Sequence, residues 1–83
     1  MRYAPQVAWQ IIDGEVMIVD LASGQTMGLN PTATWLWSHL DGHSASELTD
    51  EMTSAFDVSR NDAEKDVNEF IQLLREKDLI ADS

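Results

Sequence analysis

The sequence has no cysteine, which excludes a disulfide framework and any thiolate metal site and is compatible with a reducing compartment. Basic residues are scarce, with five Lys and Arg against fifteen Asp and Glu and a formal net charge of −10. A duplex-binding surface must neutralise several phosphates, yet after Arg2 the only bases are Arg60, Lys65, Arg75 and Lys77, each with acids nearby. Nucleic acid is therefore a poor partner. No run of about 18 apolar residues is present to span a bilayer, and Met1 to Gln6 lacks an apolar signal core. The chain reads as soluble and cytoplasmic, with no membrane partner. Its length sets a single domain, 1–83, near the lower limit for folding without crosslinks. Twelve of the fifteen acids lie from Asp41 onward, and such a surface either steers basic partners or simply stays hydrated.

The first third alternates as strands do. The pattern predicts strands over about 6–12, 15–21 and 25–29. Val7, Trp9 and Ile11 share one face, Val16, Ile18 and Asp20 another, and Met27 and Leu29 lie on one side of the third strand. Asp13-Gly14 is a two-residue hairpin signal, and Ser23-Gly24 supplies the next turn. Gly28, inside the third strand, marks either close approach by another backbone or a twist or bulge.

The period then becomes helical, over about 31–41, 45–56 and 60–77. Asn30 provides an N-cap oxygen, Pro31 occupies the first helical position, and Gly42 ends the helix. Ala33, Leu36, Trp37 and Leu40 form one buried stripe, with Trp35 off it, either packed against the sheet or left for a partner. Ser44 with Glu47 is a capping box, and Ser59 with Asp62 a second, box-like start. The third helix carries Ala63, Val67, Phe70 and Leu74, widened by Ile71 and Leu73 until it can touch two surfaces. The fold class is α+β, a three-stranded antiparallel sheet followed by three helices, resembling a winged helix-turn-helix.

Catalytic patterns are absent. His39 and His43 have a metal-like spacing, but Gly42 breaks the helix between them. The serines have turn or capping roles and no nearby base, and Gly24 and Gly28 precede Asn-Pro-Thr rather than a phosphate loop with its Lys. No enzyme, metal or cofactor is expected. A different chemistry is available if residues 25–29 form a sheet edge. Free main-chain groups there can pair with an extended peptide while the third helix supplies side-chain pockets.

The chain resembles the PqqD family, the leader-peptide recognition elements of ribosomally made, modified peptide pathways. The resemblance rests on Val7-Ala8-Trp9, Gly14, Val19-Asp20, Ser23-Gly24, Leu29-Asn30-Pro31-Thr32-Ala33, Leu36-Trp37 and Leu40-Asp41-Gly42, then Asp66-Val67, Phe70-Ile71, Leu74 and Leu79-Ile80. It implies a non-catalytic chaperone that binds the leader of a precursor peptide and presents it to a modifying enzyme, a radical SAM enzyme or a lasso-type leader peptidase or cyclase. It further implies that Gln25, Thr26, Met27, Gly28 and Leu29 supply backbone pairing, and that Asp66, Phe70, Leu73 and Lys77 line the facing side. Asp78 stands where the family often has glycine, so the helix end needs Asp in a left-handed conformation or another cap. The alternatives are a self-assembly module forming a homodimer through the same edge and, behind it, a winged-helix DNA-binding regulator.

Overall fold

The computed structural model describes residues 1–81; the last two positions of the expected domain, 82 and 83, lie outside the described residues. β2 (Val7–Ile12), β3 (Glu15–Asp20) and β4 (Thr26–Gly28) follow β1 (Arg2–Tyr3) and form an antiparallel sheet in the order β2-β3-β4. Helices α1 (Pro31–Leu40), α2 (Ala45–Ala55) and α3 (Arg60–Glu76) come next, and β5 (Ile80–Ala81) closes the fold.

Local chemistry explains each junction. Asp13 and Gly14 both have positive φ, 53° and 81°, the combination required by a tight hairpin turn whose twist matches its strands. The Asn30 side chain accepts from the Ala33 N–H at 2.8 Å and Pro31 occupies the first turn of α1. Gly42, at φ 82°, follows the end of that helix. At α2 the capping box closes in both directions, at 2.9 and 3.1 Å. At α3 the Ser59 side chain caps the Asp62 N–H.

The strand register corrects the expected division of faces. Val7, Trp9 and Ile11 lie opposite Asp20, Ile18 and Val16, and cross-strand partners share a face, so all six sit on one side of the sheet. That side carries the core, where Val16 and Ile18 meet Leu36, Trp37, Leu40, Val67 and Leu74. Trp35 is half-buried and lines an open recess with Asp50 and Glu51. It stacks on His39 at 4.2 Å and meets the Phe56 edge at 5.2 Å, packing at the α1–α2 side away from the sheet.

A second sheet was not visible in the sequence. β1 pairs with β5 through Arg2 opposite Ala81 and Tyr3 opposite Ile80. Tyr3 stacks on Trp37 at 4.3 Å, donates its hydroxyl to the Trp37 carbonyl, and meets the Trp9 edge. Burial, with the Asp41 carboxylate adding to it, pushes the phenol up to about 12. Asp78 adopts the left-handed conformation, φ 57°. The Leu79 N–H donates to the Leu74 carbonyl and the Asp78 N–H to that of Arg75, a Schellman ending with aspartate in the usual glycine position.

Candidate functional site

β4 is an edge strand, and its register determines which of its groups are free. The Asp20 N–H donates to the Gln25 carbonyl, and the Leu29 N–H to the Val16 carbonyl. Ile18 lies opposite Met27 between these bonds. Antiparallel ladders alternate, so Met27 directs its N–H and C=O inward to Ile18, whereas Thr26 and Gly28 direct theirs out of the sheet. Of the five residues expected to supply backbone pairing, Thr26 and Gly28 hold the outward groups. The Gln25 carbonyl and the Leu29 N–H are already used within the sheet.

Glycine at position 28 is not demanded by crowding. A Cβ there would meet only the Met17 methyl at 3.7 Å, an ordinary contact, which removes close approach by another backbone of this chain as its explanation.

Asp66, Phe70 and Leu73 of α3 and Lys77 at its C-cap recur as a stripe at helical spacing; Lys77 shares a recess with β4, and the other three share one with Asn30, which follows it. Two recesses flank the stripe. Gln25, Thr26, Met27 and Lys77 line the first together with Ile18, Asp20 and Leu79. Asp66, Phe70 and Leu73 line the second together with Glu69 and, from the start of α1, Ala33 and Leu36. The sequence-expected side chains are therefore brought together in two groups, one at each end of the stripe. Leu29 is buried in the core and Gly28 lines a hollow near the β2–β3 hairpin instead.

The floor of the second recess is apolar. Phe70 is 7% exposed and Leu73 is 39% exposed, so Phe70 serves both core and groove while Leu73 projects. Glu69, Ala33 and Leu36 were not singled out as site residues from sequence. The usable signal was spacing, since Glu69 is three residues from Asp66 and lies on the same helical face.

The other candidate chemistries find local explanations. His39 Nδ1 lies 2.8 Å from the Trp35 carbonyl and His43 Nε2 lies 3.6 Å from Glu51. Arg60, at the start of α3 where a recognition helix needs a free base, is paired with Asp50 and with Glu64. Those carboxylates offset the charge that a phosphate contact requires.

A family model described as coenzyme PQQ synthesis protein D (PqqD) matches residues 15–80. The fold superposes on TbiB1, solved in complex with the TbiA(beta) leader peptide, with a TM-score of 0.89 and 30% identity over 99% of this chain and 100% of that one. It also superposes on lasso peptide synthetase B1 complexed with the leader peptide, with a TM-score of 0.86 and 30% identity over 98% and 96% of the two chains. Comparison with curated proteins yields no match. With the family model spanning most of the sequence and the three-stranded sheet and helices in the same arrangement, the chain belongs to the PqqD family.

Proposed function

We propose that this protein binds the leader segment of a ribosomally made precursor peptide as an added strand on β4 and presents it to a modifying enzyme. The observation that carries this reading is the pair of outward main-chain edges at Thr26 and Gly28 on the free side of β4, with Lys77 in a recess beside Thr26. An extended peptide entering there gains backbone bonds on one side and side-chain contacts on the other. Phe70 and Leu73 offer the apolar surface, and Met27, half-buried beside Lys77, offers an adaptable wall. Two relatives at 30% identity are complexes with leader peptides, which supports carrying that ligand class to this chain.

The role is recognition without catalysis. The enzyme served is a lasso-type leader peptidase or cyclase, a reading supported by the solved relative described as lasso peptide synthetase B1 complexed with the leader peptide. Fluorescence anisotropy tests it, with labelled TbiA(beta) leader and the leaders of small reading frames beside the gene as probes. Saturable binding by one of them supports the proposal. Absence of binding by all of them, from a folded protein, contradicts it.

A further inference from the structure

The groove is electrically polarised. At the α1 end, Asp66 and Glu69 share a recess with Ala33, Leu36 and Phe70 and with the projecting Leu73. At the other end stands Lys77, beside Asp20, whose Oδ1 accepts from the backbone of Ala22 and Ser23 in the turn. None of Asp66, Glu69 or Lys77 has an ion-pair partner within 4.0 Å among the described residues. Among the other helix carboxylates, Asp50 and Glu64 are paired with Arg60 and Glu47 closes the α2 cap. Two anions without an ion-pair partner thus lie at the α1 end, and at the other end Lys77 lies beside an Asp20 carboxylate that is occupied by the turn it caps.

From this we infer that the groove selects its peptide by charge order: a Lys or Arg at the Asp66–Glu69 end, beside an apolar anchor, and an acidic side chain at the Lys77 end. The inference rests on the strand-addition reading and adds its specificity. Asp66 and Lys77 are separated by about 16 Å along α3 at the ordinary helical rise. An extended peptide covers that span in about five residues. A peptide laid in with its charges reversed would bring a carboxylate against Asp66 and Glu69 and an ammonium against Lys77, so the arrangement also fixes the direction in which the peptide enters.

The test is a positional series built on the tightest-binding leader among those above, with a single Lys or a single Glu placed at each position in turn. One position is expected to favour Lys over Glu by about fivefold, the scale of partly exposed ion pairs summed over two carboxylates. A second position, about five residues away, is expected to favour Glu. Asp66→Asn with Glu69→Gln should flatten the first preference alone, and Lys77→Gln the second alone, both variants being at exposed sites that leave the core intact. The order of the two positions along the peptide then gives the strand direction. A series that binds but shows no positional preference, or preferences unmoved by these variants, overturns the charge-order inference while leaving strand addition standing. Failure of every peptide to bind overturns both.

Discussion

The hydroxyl of Thr34 on α1 accepts a hydrogen bond from the backbone N–H of Val16 at 2.9 Å, and donates toward the Leu29 carbonyl at 3.3 Å. One buried side chain thus ties α1 to β3 and to the residue that follows β4. Val16 is 1% exposed, so its N–H has no access to water.

Thr34→Val keeps the shape of the side chain and removes the acceptor. The expected loss of stability is about 1–3 kcal/mol, the cost of a buried donor left unpaired, read from the midpoint of chemical denaturation. Thr34→Ser keeps the oxygen and is expected to recover most of that loss. Equal destabilisation by both would mean that the methyl packing, and not the hydrogen bond, holds α1 to the sheet.

Proline scanning of β4 separates the binding edge from the folded ladder. Proline removes a backbone donor and is tolerated where that donor faces outward. Thr26→Pro and Gly28→Pro are expected to keep the cooperative unfolding transition and to weaken leader binding by at least about tenfold, roughly one main-chain hydrogen bond with its neighbouring contacts. Met27→Pro, which deletes the donor to Ile18, is expected to lower stability first. Normal leader binding by a folded Gly28→Pro variant would contradict strand addition at this edge.

At the end of α3, Asp78 holds a conformation that favours glycine, and its carbonyl accepts from the Gln6 side chain at 2.7 Å. Asp78→Gly is expected to stabilise the protein by about 1 kcal/mol, because glycine enters the left-handed region without the Cβ clash. A β-branched residue there is expected to destabilise it. Thermal or urea denaturation of the two variants gives the comparison, and a destabilised glycine variant would show that the aspartate side chain contributes more than its backbone costs.

Tyr3 is the sole tyrosine, so its titration is read directly by ultraviolet absorbance. Its phenol is raised from 10.0 to about 12, by burial first and Asp41 second. A raised folded value means that the neutral form is preferred in the native state. Its contribution to stability is therefore complete below about pH 10 and is lost as the pH rises through about 12. Alkaline unfolding is expected in that window, and Tyr3→Phe should flatten the dependence there while removing the bond to the Trp37 carbonyl. A phenol titrating at its ordinary value in the folded protein would contradict the packed arrangement of Tyr3 on Trp37.

The parts of this fold that could be read from sequence are those fixed by neighbours in the chain. Asn30-Pro31, Ser44 with Glu47, and Asp13-Gly14 each satisfy a backbone requirement within a few residues, and each does so in the structure. The β1–β5 pairing joins Arg2 to Ala81, and two-residue strands are too short to show a period. The groove lies between these cases. The stripe Asp66, Phe70, Leu73 and Lys77 follows from family resemblance and helical spacing, but its division between two recesses depends on where the start of α1 falls beside α3. Ala33 and Leu36 looked only like core because periodicity identifies a buried face without saying which neighbour covers it. Likewise, alternation along β4 was visible, but only the register with β3 determines that Thr26 and Gly28, and not Met27, turn their main-chain groups outward.

The most direct measurement is amide hydrogen exchange at Thr26, Met27 and Gly28, by NMR, with and without a saturating leader peptide. Strand addition on β4 requires the Thr26 and Gly28 amides to exchange rapidly in the free protein and to become protected by more than about tenfold on binding, while the Met27 amide, already bonded to Ile18, is protected from the start. Saturated binding that leaves the Thr26 and Gly28 amides exchanging as before would contradict it.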